Sequence, residues 1–198
     1  MKNHILILFL IAFTSCKSQS VNIKNWNGNY VANTYYEDID NELNQFEGTY
    51  QFTNGNNELT FTFKKQLKYY NTSYYQDLLT GEYKYKEGGV ILVDNLNRIN
   101  QNLLNKYSHD ICGNTLIYND MKPNCDNCLP NQLRADLIFF GRSNNDNGGS
   151  IVIQKFNENG QEKIKIIIFY LARIINPGDA MPLDPKLPSG EYTLTRIY

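Results

Sequence analysis

The stretch Phe46–Phe63, FEGTYQFTNGNNELTFTF, decides the fold. Its first arm sets Phe46, Gly48, Tyr50 and Phe52 on alternate positions, its second does the same with Leu59, Phe61 and Phe63, and Asn54-Gly55-Asn56-Asn57 lies between them. Residues two apart share one face of a strand, so each arm reads as a half-buried strand and the Asn/Gly centre as a hairpin turn. The pattern recurs outward: Tyr83 and Tyr85 alternate in a third run, and Lys86-Glu87-Gly88-Gly89, Asn144 to Gly149 and Asn157-Glu158-Asn159-Gly160 are further turn signals. Two later runs, Leu137 to Phe140 and Ile164 to Leu171, are apolar at nearly every position, which predicts central strands covered on both faces. No alternating βα units occur. The chain is therefore expected to be mainly β, an antiparallel meander forming a barrel or sandwich of about eight to ten strands with one or two short helices.

The helical periods are few. Ile39, Leu43 and Phe46 are spaced i, i+4, i+7, and Leu96, Ile99, Leu103 and Leu104 are spaced i, i+3, i+7, i+8. The second group breaks what is otherwise a long bare stretch over 94–133. The segment 176–190 holds Pro177, Pro182, Pro185 and Pro188 and reads as a loop before the last strand.

With 198 residues, 41% of them hydrophobic, the chain can bury one core, and 20% charged residues leave a formal charge of −1. The even balance of Lys+Arg 19 and Asp+Glu 20 supplies no surplus to neutralise phosphates, so a nucleic-acid partner is excluded. The 28 Asn and 15 Tyr suit turns and strands.

Met1 to Cys16, MKNHILILFLIAFTSC, is a basic start, an apolar run from Ile5 to Phe13, and then Thr14, Ser15 and Cys16. The run is too short to span a bilayer and suits a cleaved export signal. Phe13-Thr14-Ser15-Cys16 resembles the bacterial lipobox, whose cysteine receives a diacylglycerol before the signal is cut on its amino side. The division expected is a lipoprotein signal peptide over 1–15, a lipidated N-terminus and tether over 16–24, and a single β-rich domain over 25–198. Acyl chains on Cys16 make the membrane the first partner. Neither an Asp nor an acidic run follows that cysteine, which points to the outer membrane, facing the periplasm.

A Gly-x-Tyr pattern recurs at Gly28-Asn29-Tyr30, Gly48-Thr49-Tyr50, Gly81-Glu82-Tyr83 and Gly190-Glu191-Tyr192. It is expected to open strands, with the glycine easing a bend and the phenol reaching water. Together with Trp26-Asn27-Gly28-Asn29-Tyr30, Phe46-Glu47-Gly48-Thr49-Tyr50 and Gly81-Glu82-Tyr83-Lys84-Tyr85, the chain resembles an uncharacterised family of small lipoproteins from Bacteroidota-type bacteria, a domain of unknown function. More distantly, the strand-one aromatic and Arg196 in the last strand are similar to lipocalin-like barrels. That likeness implies an Arg196 guanidinium packed across the ring of Tyr50 or Tyr30.

Beyond Cys16, three cysteines remain. In an oxidising compartment the expectation is a structural disulfide from Cys112 to Cys125 or Cys128. The alternative is zinc, since His109-x2-Cys112-x12-Cys125-x2-Cys128 has the spacing of four soft ligands. A redox Cys125-Asp126-Asn127-Cys128 lacks the helix that such motifs open. Ser108-His109-Asp110 is consecutive and cannot form a relay. Glu37 to Glu42 reads as a solvated acidic helix start rather than a calcium loop. The pairs Tyr35-Tyr36, Tyr69-Tyr70 and Tyr74-Tyr75 offer aromatic faces for a small apolar or glycan ligand, against the plainer reading of strand residues pointing alternately in and out. No cofactor is called for. The function expected is a cell-envelope lipoprotein with a non-catalytic binding or structural domain, an envelope protein being another partner class. The rival is a hydrolase using carboxylates such as Glu82, Asp136 or Glu191.

Overall fold

Period-two patterning closes on itself. The computed structural model describes residues 19–101, 103, 105, 108–125, 127–140, 148–171 and 186–197, so the expected signal segment and Cys16 lie outside the described residues. The strands are β1 (Ser20–Asn22), β2 (Tyr35–Glu37), β3 (Gly48–Asn54), β4 (Asn57–Tyr70), β5 (Tyr75–Glu87), β6 (Val90–Asp94), β7 (Ile111–Ile117), β8 (Arg134–Phe139), β9 (Gly149–Glu158), β10 (Gln161–Tyr170) and β11 (Gly190–Arg196). Eight of them form an antiparallel barrel in the order β3-β4-β5-β7-β8-β9-β10-β11, which β11 closes onto β3 through Thr195 opposite Gln51 and Arg196 opposite Tyr50. Closure removes the unpaired edges that an open meander would expose.

The remaining strands are additions to β5. Its last residues, Lys84 to Glu87, pair with β6, while Leu79 to Gly81 pair with β7. At its start β2 and then β1 lie parallel to it, with Ser20, Tyr35 and Tyr75 in register. The Asn159-Gly160 turn between β9 and β10 has both residues at positive φ, 52° and 76°, the twist a two-residue hairpin needs.

One face of each barrel strand fills the interior. Tyr50, Phe61, Ile111, Phe139, Ile151 and Ile166 are all 0% exposed. A space holding even one water would give its lining side chains accessible surface, so these residues line no cavity. Gly81 sits in the middle of β5 because a Cβ there would meet the Phe63 ring at 2.8 Å. Of the Gly-x-Tyr sites, Gly48 and Gly190 open strands as expected, Gly81 does not, and Gly28 lies in no strand. Nor do the phenols all reach water, since Tyr50 and Tyr83 are buried. The apolar runs are covered on one face only: Ile138 (44%) and Phe169 (42%) are exposed on the outer wall.

The only helices among the described residues are 3-10 turns, at Ile23–Asn25, Glu42–Phe46 and Leu96–Arg98. The turn Glu42–Phe46 touches β4 and β9, on opposite sides of the ring, and buries Leu43 and Phe46, so it crosses and closes one barrel mouth. Asp38 holds it. Its Oδ1 accepts from the Glu42 N–H (2.8 Å), its Oδ2 accepts from the Leu43 N–H (3.0 Å), and Lys65 Nζ lies 2.7 Å from Oδ2. Asp38 is thus buried and paired, where a solvated acidic start was expected.

Candidate functional site

Three regions gather chemistry-bearing side chains, and the packed interior is not among them. No ligand cavity is found among the described interior residues of the barrel.

The first region is an aromatic end built around the β4–β5 turn. Tyr30 stacks on Tyr74 (centroids 4.0 Å, 5° between planes) and on Trp26 (4.7 Å), and Tyr36 packs edge-on to Tyr30 and Tyr74. Tyr36 is fixed through its hydroxyl, which donates to Asn29 O (3.2 Å) and accepts from the Val31 N–H (2.7 Å). On the other flank Tyr70 packs against Tyr75 (4.9 Å), and Lys68 Nζ stands 5.6 Å from both the Tyr35 and Tyr75 rings. Tyr35 donates to Asp77 Oδ1 (2.6 Å); burial first, then that hydrogen bond, pushes its phenol pKa up. The six tyrosines singled out in the sequence therefore collect at one end, Tyr69 lying opposite Gln76 in the same ribbon. Tyr36 and Tyr74 are buried, whereas Tyr70 is 52% exposed. Trp26 and Tyr30 belong to this cluster too. Their signal was present in Trp26-Asn27-Gly28-Asn29-Tyr30, read there only as a strand start.

The second region lies on the outer wall of β5 and β7. Glu82 Oε1 is 2.8 Å from His109 Nδ1, and the Asp110 N–H donates to Glu82 Oε2 (3.4 Å). Arg98 NH1 lies 3.3 Å from Asp110 Oδ1 and 3.8 Å from Glu82 Oε2, and Asn95 Nδ2 donates to Asp110 Oδ2 (2.7 Å). The His109 ring bridges the two sides, with Nδ1 against Glu82 and Nε2 3.4 Å from Gln66 Nε2. Burial, then the Glu82 charge, raises the Asp110 carboxyl from 3.8 to about 7. Carboxylates and an imidazole at this spacing could exchange protons, but Glu82 and Asp110 are 0% exposed and His109 2%. The other rival acids stand apart: Asp136 accepts from Ser150 Oγ on the β8–β9 wall, and Glu191 pairs with Lys165 (2.8 Å) on β10. Asn95 and Arg98 were not identified in the sequence, because nothing in spacing ties them to Asp110.

The third region is the loop 118–133. Here Cys125 is bonded to Cys128 (S–S 2.06 Å), correcting the expected bridge from Cys112. Cys112 sits buried in β7, opposite Thr80 of β5, and a strand position fixed by that ladder cannot follow the loop cysteines. The zinc alternative at His109, Cys112, Cys125 and Cys128 loses two thiolates to the bridge and its imidazole to Glu82. Among the described residues no group of three or more His, Cys, Asp or Glu could hold a metal. Arg134, 1% exposed, holds the loop by donating to the carbonyls of Pro123 (2.6 Å), Tyr118 (2.9 Å) and Met121 (2.7 Å). The adjacent pocket, lined by Arg134, Gln154, Lys165 and Glu191, has about 100 Å³, below the few hundred that a ligand pocket occupies. Across the barrel seam Arg196 lies 6.0 Å from the Tyr50 ring centroid.

No curated protein and no solved structure matches this chain. Its barrel, its aromatic end and its buried acid cluster are those of a sequence that matches one family over residues 1–196, and the chain belongs to that family, described as a family of unknown function (DUF6705).

Proposed function

We propose that this protein is a lipid-anchored barrel of the bacterial cell envelope, held by acyl chains on Cys16 at the outer membrane and facing the periplasm, which acts without catalysis through its outer surface. One observation carries the reading. The described interior of the barrel is filled, whereas aromatic side chains collect at the end where the described chain begins. A filled interior removes the usual ligand site of a small barrel and leaves recognition to exposed side chains. The acid cluster does not compete as a catalytic centre, because Glu82, Asp110 and His109 are closed off from solvent.

Support for the anchor comes from the sequence, where the apolar run ends on Thr14-Ser15-Cys16. The test is metabolic labelling with palmitate in the wild type and in Cys16→Ala. Label confined to the wild type is expected; equal labelling of both removes the anchor. Retention of the Met1–Ser15 segment on protein recovered from the cytoplasm would remove the envelope address as well.

A further inference from the structure

The described chain begins at the aromatic end. β1, β2 and β5 run parallel with Ser20, Tyr35 and Tyr75 in register, and Tyr75 pairs with Tyr70 at the tip of β4. Ser20 therefore lies at the same end of the sheet as the β4–β5 turn. Neighbouring strands are ~4.8 Å apart, which puts Tyr70, three strands across, within roughly 15 Å of Ser20.

On the proposed anchor, only four residue steps separate Cys16 from Ser20. Fully extended, they reach at most ~14 Å. The polar layer on one side of a bilayer is itself roughly 5–8 Å deep. A barrel tethered so closely cannot stand clear of the membrane, and the end carrying Ser20 is the end brought to it. The side chains exposed there have the composition of a membrane interface. Tyr70 is 52% exposed, Leu67 69%, Val31 59% and Tyr30 37%, with Trp26 stacked behind Tyr30. Aromatic rings with a polar tip favour the headgroup level of a bilayer, where ring and hydroxyl both find a suitable medium. The charged groups at this end are of both signs: Lys68 stands over the Tyr35 ring, and Glu37 accepts from Ser20 Oγ (2.6 Å).

We infer that the aromatic end is a membrane-seating surface, in which Tyr70, Leu67, Val31 and Tyr30 lie among the phospholipid headgroups of the leaflet that carries the acylated Cys16. The inference rests on the lipid-anchor reading and deepens it. Seating fixes the barrel upright, with the β3–β4 and β5–β6 turns pointing away from the membrane.

Trp26 is the only tryptophan in the chain and reports on this surface directly. The full chain, purified from membranes, is reconstituted into phosphatidylethanolamine/phosphatidylglycerol vesicles with and without a headgroup nitroxide. Wild-type Trp26 emission is expected to be quenched by the nitroxide, with little change when salt is raised. The double variant Leu67→Glu, Tyr70→Glu is expected to lose the quenching while keeping its palmitate content and far-UV circular dichroism; both positions are exposed, so the fold tolerates them. Palmitate present without quenching, or equal quenching in the double variant, overturns the seating surface and leaves the anchor standing. Absence of palmitate overturns both. A soluble peptidoglycan fragment that shifts Trp26 emission equally in detergent and in vesicles, with no nitroxide quenching, overturns the inference in favour of a glycan ligand.

Discussion

Two buried polar clusters hold this barrel, and they solve the same problem in opposite ways. At the closed mouth, Asp38 and Asp77 are surrounded by donors: Lys65 and the Glu42 and Leu43 N–H groups for Asp38, and the Tyr35 hydroxyl and the Asp38 and Lys68 N–H groups for Asp77. On the outer wall, Glu82 and Asp110 crowd against each other and share Arg98, whose side chain is 19% exposed, with the His109 ring filling one side. The first cluster gives each acid three donors. In the second, burial and the neighbouring Glu82 charge push the Asp110 carboxyl up to about 7. Two sets of buried acids thus meet opposite surroundings, hydrogen-bond donors at the mouth and a second acid on the wall.

The largest way to break this contrast is Lys65→Ala. Lys65 Nζ reaches Asp38 Oδ2 at 2.7 Å and Asn44 Oδ1 at 2.9 Å, and among the described residues Asp38 pairs with no other cation while its side chain is 0% exposed. Removing one partner of a buried pair strands the other, at a cost of roughly 3–5 kcal/mol. Urea denaturation at pH 7 is expected to show that loss. A decrease under ~1 kcal/mol, the range of exposed pairs, would mean that the backbone donors alone hold Asp38.

How much of this was readable beforehand follows from what each feature depends on. The hairpin Phe46–Phe63 was legible because alternation and an Asn/Gly turn are local, and β3 and β4 form there. β7 was not, since Ile111-Cys112-Gly113-Asn114 alternates only in part and its partner on β5 lies about thirty residues back. The helix expected over Leu96–Leu104 is a 3-10 turn at Leu96–Arg98, because Asn-rich sequence favours turns. For the site, the tyrosine pairs pointed to the right residues; that they share one end depends on β2 adding in parallel to β5, which no short motif announces. The cysteine pairing was misjudged because separation was weighed and the strand position of Cys112 could not be.

The second prediction sharpens the contrast through pH. The folded Asp110 carboxyl holds its proton up to about 7, against 3.8 ordinarily, so the stability this adds is present below about 3.8 and is lost as pH rises towards 7. Within that window the wild type is expected to lose up to ~1.4 kcal/mol per pH unit relative to Asp110→Asn, which mimics the neutral acid and has nothing to release. Denaturation of both proteins between pH 4 and pH 8 reads the difference directly. Parallel curves would show that Asp110 is ionised throughout.

The smallest effect is also the most discriminating. Asn95 Nδ2 donates to Asp110 Oδ2 at 2.7 Å and so favours the charged carboxylate, opposing burial and the Glu82 charge. Asn95→Ala removes that donor and leaves the Asn95 N–H bond to Tyr83 O (3.1 Å) in place. The Asp110 carboxyl then holds its proton to still higher pH, and the midpoint of the stability change moves upward. A hydrogen bond to a charged acceptor is worth about 1.5 kcal/mol, which corresponds to a shift of roughly one pH unit. Because the bond matters most once Asp110 is ionised, the variant should match the wild type near pH 4 and fall below it near pH 8. A uniform loss at every pH would instead assign Asn95 to shaping the 3-10 turn that follows it, and the proton on Asp110 would then be set by Glu82 and burial alone.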